Sequence, residues 1–244
     1  MNHLARLENE KQFHNERIVH ESRTHQEKYY VAIAKAQELF SQLTAYNSVG
    51  KNVLEIGCFH GSRAPEILAT ASSYTGIDIS DIAIEKAAAT HGASNCQFYV
   101  RDACDTAFPN ATFDAVIACG IIHHLPLEKS LHEINRILKP GGKIIFFEPL
   151  GGNPLINLYR KLTPNARTPD ETPLTCADIK TIEKIFPGQI KLFGLTTLLC
   201  VPLRNCKTLY SISYRLLHML DTLLFQTPLR RWAWMAVIEG KRHA

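Results

Sequence analysis

Residues 53–61 read VLEIGCFHG. Val53, Leu54 and Ile56 form a short apolar run around one acid, Glu55, and the run breaks at Gly57, with a second glycine at Gly61. A run of this length bounded by glycine reads as a buried strand, and the RAPEILATA beyond it reads as a helix. A strand that turns into a helix leaves backbone N–H groups at the helix N-terminus, which favour an anion. A dinucleotide turn would read G-x-G-x-x-G, with a small second glycine that lets the backbone meet a pyrophosphate. Here Phe59 holds that place and the last glycine comes one residue early, which argues against a nicotinamide dehydrogenase. A bulky side chain crowds a diphosphate yet leaves room for one carboxylate. The turn therefore suits an amino acid carried on a nucleoside.

The same alternation continues outward. Apolar runs NVLEIG, SYTGIDI, CQFYV, FDAVIACG and GKIIFFE alternate with the helix-like RAPEILATA, DIAIEKAAAT and LEKSLHEINRILKP. Strand and helix at this pitch predict an α/β fold with a doubly wound sheet of parallel strands. Upstream, residues 1–46 contain neither Gly nor Pro and read as a polar, helical N-terminal extension. Beyond Glu148 the stretch 149–175 is rich in Pro, Gly and Asn and reads as a functional loop with a helical turn or two. A helix near 176–186, an apolar strand near 190–202, a helix near 207–225 and a last strand, WAWMAVIEG, complete the chain. With 244 residues, 45% hydrophobic and 20% charged, this is one domain with appendages and a core large enough to stand unaided.

The pattern Glu55-x-Gly57-x-x-x-Gly61 resembles motif I of the class I S-adenosylmethionine-dependent methyltransferases, and four further motifs over roughly residues 50–150 stand in register with it. Asp78 closes the second strand, and an acid about 20 residues beyond the first glycine can accept both ribose hydroxyl protons. The third strand ends in FYVRDACD; the resemblance puts Asp102 beside the adenine amino group and the Ala103 amide near a ring nitrogen, with Asp105 the rival acid. FDAVIACGIIHHL matches motif IV, where Cys119 and Gly120 would line the methionine end, and INRILKPGGKIIFFEP matches the helix and strand that follow. The resemblance implies a mostly parallel seven-stranded sheet with a helical insert between its last two strands. It implies S-adenosylmethionine as cofactor, held by Glu55, Gly57, Cys58, Gly61, Asp78, Ile79, Asp102, Ala103, Cys119 and Gly120. Within the class, the chain resembles the small-molecule enzymes of ubiquinone and menaquinone biosynthesis. It departs from the class at Phe59, where a third glycine is common, and at His60, which either touches the methionine carboxylate or faces solvent.

Methyl transfer from a sulfonium is an in-line displacement with a neutral leaving group. The main task is to hold the acceptor about 3 Å from the methyl group, and a base is needed only where the acceptor loses a proton. His123 and His124 follow the fourth strand at the edge where open α/β sheets bind ligands, and histidine is a side-chain type that can serve as such a base; packing or capping is the other reading. Tyr29, Asn153, Tyr159, Arg160 and Arg167 make the acceptor-facing set. Two arginines there suit a carboxylate or phosphate, or else pair with Asp170, Glu171 and Glu148 to brace the loop. No metal is expected: Gly120 and His123 stand where quinone-ring enzymes carry acids, and His14, His20 and His25 lie on a polar helix. The [DN]PPY signature of amino-group methylation is replaced by ACGIIHH, and no RNA-binding module is present, so a nucleic-acid partner is not expected. The function expected is methyl transfer to a small-molecule acceptor, apolar or anionic; the alternative is a catalytically silent cofactor-binding scaffold subunit.

The organisation expected is an N-terminal helical lid over 1–46 and a cofactor-binding domain over 47–244, with an acceptor loop at 149–175 and a helical insert at 204–231. The seven cysteines form no CxxC pair, no apolar leader opens the chain, and no run approaches about 18 apolar residues. Reduced thiols and a cytoplasmic setting follow as expectations. The net charge of +4 is uneven, since residues 191–244 carry eight Lys/Arg against Asp221 and Glu239. The insert runs TLYSISYRLLHMLDTLLFQTPLRRW, a wide apolar face flanked by Lys207, Arg230 and Arg231. It reads either as core packed on the sheet, or as a weak contact with a membrane surface or the cover of a pocket for an apolar acceptor.

Overall fold

The computed structural model describes Glu8, Lys11, Gln12, Asn15, residues 27–163 and residues 172–243. Arg167, Asp170, Glu171, His14, His20 and His25, and with them part of the expected lid, lie outside the described residues. Two helical segments, α1 (Glu27–Tyr30) and α2 (Ala34–Ser48), are joined by a 3-10 turn, Val31–Ile33. Strand β1 (Asn52–Ile56), the short α3 (Ala64–Leu68), β2 (Ser73–Asp78), α4 (Asp81–His91) and β3 (Cys96–Val100) follow. Then come β4 (Phe113–Cys119), α5 (Leu127–Ile137), β5 (Leu138–Pro149), α6 (Pro154–Leu162) and α7 (Cys176–Ile185). The chain ends with β6 (Gly188–Phe193), α8 (Lys207–Leu224) and β7 (Met235–Lys241).

The strands form one seven-stranded sheet in the order β3-β2-β1-β4-β5-β7-β6. β1 pairs in parallel with β2 and β4, and β7 runs antiparallel between β5 and β6. Central parallel strands are covered on both faces, which is why they read as unbroken apolar runs. Leu54, Ile56, Val116 and Phe146 bury one face with Ile134 of α5 and Ile182 of α7. Val53, Ile117, Ile145 and Phe147 bury the other with Ile33, Phe40 of α2 and Trp234. The parallel strands β1, β2 and β4 end on one edge, and their last residues carry the site.

Two expectations need correcting. The apolar strand near 190–202 is shorter: β6 ends at Phe193, Gly194 turns at φ +81°, and Thr196–Leu203 is a 3-10 helix. The N–H groups of Leu195, Thr196 and Thr197 bond the carboxylate of Asp221 instead of a neighbouring strand, and Pro202 has no N–H to give to one. The insert helix α8 is not core either, for among its residues only Tyr214 and Asp221 are buried. Among the described residues, no helix is long and apolar enough to cross a membrane.

Candidate active site

The turn after β1 is shaped by its own backbone. Gly57 (φ +68°) and Cys58 donate their N–H groups to Ile77 O at 2.8 and 3.1 Å, and Gly61 (φ +75°) donates to Cys58 O at 2.9 Å. Phe59 adopts φ +49°, the left-handed conformation a glycine would take more easily, and donates to Asp78 Oδ2 at 3.0 Å. These N–H groups point inward. At these positions the turn's N–H groups are taken by the protein's own acceptors, one of them the Asp78 carboxylate. A Cβ on Gly57 would lie 2.7 Å from Ile121 Cγ1, so the turn packs directly on the segment after β4.

The cation at this place is Arg63, which the sequence reading passed over. Its Nη2 donates to Cys119 Sγ at 2.9 Å, its guanidinium lies 5.1 Å from the Phe40 ring centre, and its Nε stands 3.7 Å from Glu55 Oε1. Glu55 is buried beneath it and accepts from Tyr74 Oη at 2.6 Å. Burial pushes the Glu55 carboxyl up to about 7, against the opposing pull of Arg63. Burial also pushes the Cys58 thiol up, so it stays protonated.

Asp78 accepts from the N–H groups of Phe59 and Ser80, one on each oxygen. A carboxylate offers about four acceptor positions, which leaves two for a ligand. Val100 at the end of β3 pairs with Asp78, which sets Asp102 and the buried Ala103 beside it; Asp102 Oδ1 accepts from Cys104 N–H at 2.8 Å, while Asp105 is exposed. Ile79 is half-buried next to Asp78.

A cavity of ≈ 580 Å³ opens at the same strand edge. Cys119, Gly120, His123 and His124 line it, as do Tyr29, Tyr159 and Arg160, which unites seven of the sequence-derived site residues in one space. Gly120 (φ +66°) faces open space where a Cβ would stand. Tyr29 meets Tyr159 with ring centres 5.0 Å apart, joining the N-terminal segment to α6 across the cavity wall. Arg63, Phe40, Phe147 and Trp234 complete the inner surface. Glu55, Gly57, Cys58, Gly61, Asp78, Ile79, Asp102 and Ala103 do not line this space; they lie around the neighbouring turn and strand ends. Asn153 does not line it either. Its Oδ1 caps α6 at Ile156 N–H and its Nδ2 donates to Gly194 O and Trp232 O, so it is a buried brace.

His123 is held from behind. Its Nδ1 lies 2.7 Å from Glu148 Oε2, and Glu148 is fully buried. Glu148 also accepts from the N–H groups of Ile121 and Ile122 at 3.0 Å and of His123 at 3.4 Å. A carboxylate so surrounded by donors accepts from Nδ1–H, which puts the lone pair of a neutral imidazole on Nε2. The sequence reading offered Glu148 as a partner for loop arginines; it pairs with His123 instead, and Arg160 donates to Leu150 O and Asn157 Oδ1. The signal for Glu148 was there, a lone acid ending an otherwise apolar strand. Among the described residues no group of three or more His, Cys, Asp or Glu side chains is gathered closely enough to hold a metal ion.

Residues 54–146 match the model of a family described as "Methyltransferase domain". The chain is 36% identical over 100 residues to a fatty-acid O-methyltransferase of Mycolicibacterium smegmatis, covering 40% of this chain and 36% of that one. It is 33% identical over 106 residues to a phthiotriol/phenolphthiotriol dimycocerosates methyltransferase of Mycobacterium leprae, covering 42% and 39%. The chain thus spans little more than a third of the length of these curated relatives. In overall shape it is similar to geranyl diphosphate C-methyltransferase from Streptomyces coelicolor, with a TM-score of 0.62 at 14% identity over 85% of this chain and 77% of that one. The fold is that of the class I methyltransferases, and residues 54–146 carry its methyltransferase-domain match.

Proposed function

We propose that this chain transfers a methyl group from S-adenosylmethionine to a small apolar or amphiphilic acceptor, with His123 as general base where the acceptor must lose a proton. The observation that carries this reading is the cavity wall in which His123, backed by the buried Glu148, stands with Cys119 and Gly120. The residues fit the cofactor. Asp78 has acceptor positions left for a ribose diol, Asp102 and Ala103 lie beside it for the adenine, and the missing Cβ of Gly120 leaves room at the methionine end. Arg63 is the cation available for the methionine carboxylate, because Glu55 beneath it is neutral below about pH 7. When bound, S-adenosylmethionine supplies a methyl group on a sulfonium that departs as a neutral thioether.

The chain's own residues then do three things. Tyr29 and Tyr159 close the wall and keep water from the acceptor, which makes the N-terminal segment a lid in this reading. Arg160 and the aromatic lining orient an acceptor with an apolar body and a polar end. His123 takes the acceptor proton at Nε2, and Glu148 stabilises the imidazolium that results. Of the apolar or anionic acceptors expected from the sequence, the names of the relatives support an apolar one of fatty or isoprenoid type.

Calorimetric titration with S-adenosylmethionine, followed by methyl transfer to fatty-acid and isoprenoid acceptors, tests this directly. Binding without transfer to any acceptor would favour the silent scaffold. Asp78→Ala removes a charge-assisted contact to the ribose and should weaken cofactor binding by roughly 30-fold, on the order of 2 kcal/mol. An unchanged dissociation constant in a folded variant would remove Asp78 from the cofactor site.

A further inference from the structure

The helix α8 is built inside out. Three of its polar side chains, Tyr210, Tyr214 and Asp221, turn inward: Tyr210 Oη donates to Val31 O at 2.8 Å, and Tyr214 Oη accepts from Lys35 N–H at 3.0 Å. Asp221 accepts from the backbone N–H groups of Leu195, Thr196 and Thr197 and from both threonine hydroxyls. The apolar side chains point the other way. Leu209, Ile212, Leu216, Met219, Leu220 and Leu223 are 42–68% exposed. At 100° per residue they fall within one arc of about 100°. A helix at the surface of a globular protein normally presents the opposite pattern, and a contiguous exposed apolar stripe marks an interaction surface.

The charge around the stripe names the occupant. Arg204, Lys207, Arg215, Arg230 and Arg231 are all exposed, while Asp221, the one acid between 204 and 231, is 1% exposed. We propose that the insert 204–231 docks this protein on the surface of an anionic lipid bilayer. The stripe enters the boundary between headgroups and acyl chains, and the cations stay at the level of the phosphates. A second copy of the chain fits this surface poorly, because a two-fold interface sets the same five cations against themselves. The inner side of α8 holds the segment that walls the cavity, through Val31 and Lys35, so a docked chain keeps that wall one helix away from lipid. Docking is read from the surface alone and stands whether or not the cavity transfers methyl groups.

Co-sedimentation of the full chain with phosphatidylcholine vesicles, with and without added phosphatidylglycerol, tests the proposal. The chain should bind the mixed vesicles, not the neutral ones, and lose binding as salt is raised. Leu216→Glu with Met219→Glu should lower the bound fraction by about tenfold or more, and Arg230→Glu with Arg231→Glu should do the same. Thermal unfolding midpoints close to the parent's would show that these exposed changes leave the fold intact. No binding to anionic vesicles, or binding unaltered in both double variants, overturns the proposal. So does a dimer in light scattering that Leu216→Glu dissociates, which would assign the stripe to a second copy.

Discussion

Glu148 accepts from three backbone N–H groups and one imidazole without touching solvent. An acid placed among donors fixes both the turn 121–123 and the tautomer of His123. His123→Ala should therefore keep cofactor affinity and lower turnover by roughly 100-fold for an acceptor that loses a proton. Glu148→Gln should lower kcat more than it changes KM and move the pH–rate profile, because an amide can no longer accept from every donor around it. Full turnover in both variants from about pH 6 to 9 would take the histidine out of the chemistry. Glu55 makes a different claim on pH. Its carboxyl titrates near 7 in the folded chain against 4.5 ordinarily, so the folded chain binds more protons than the unfolded one between those values. Stability therefore falls as pH rises through that window, by up to roughly 3 kcal/mol. Glu55→Gln keeps an acceptor for Tyr74 and carries no charge, so its unfolding midpoint should overtake the parent's between about pH 5 and 7. Parallel pH profiles for the two proteins would refute the shift.

At the scale of elements, the turn after β1 and the turn after β4 behave as one unit. A Cβ at Gly57 meets Ile121, and Ile121 lies two residues from His123. Gly57→Ala thus combines a strained positive φ with a clash against the Ile121 side chain and should destabilise the fold by about 2 kcal/mol or more while lowering turnover. A variant with normal stability and activity would show that the two turns are not coupled. These turns also mark what the sequence could tell. Strands β1, β4 and β5 were legible because burial on both faces makes their runs mostly apolar, and strand ends drew Asp78, Cys119, Gly120 and His123 as candidate site positions. The bounds of β6 were not, since GQIKLF is less apolar than the 3-10 stretch beside it, which drew the expected strand out to 202. Arg63 and the pairing of Glu148 with His123 escaped for another reason. Their roles come from contacts with Cys119 and His123, 56 and 25 residues away, and no local pattern announces such a pairing.

On the scale of the whole molecule, the insert and the N-terminal segment are tied to the sheet by very few bonds. Asp221 anchors α8 to the exit of β6, and Tyr210 and Tyr214 anchor the N-terminal segment to α8. The sheet has no need of the insert, because its two faces are filled mainly by the strands and by α2, α5 and α7. Asp221→Ala leaves the buried N–H groups of residues 195–197 without their acceptor, a loss of about 3 kcal/mol or more. That loss should appear as local opening rather than global unfolding, since stability differs between parts of one structure. In hydrogen exchange, the amides of 196–224 should lose protection first, those of 31–35 should follow through the two tyrosines, and those of β1, β4 and β5 should keep theirs. Cofactor binding should persist while the cavity wall formed by Tyr29 and Tyr30 loosens, so KM for the acceptor should rise more than kcat falls. Uniform loss of protection across sheet and insert would show a single cooperative unit, and the insert would then be part of the fold's foundation rather than an attachment to it.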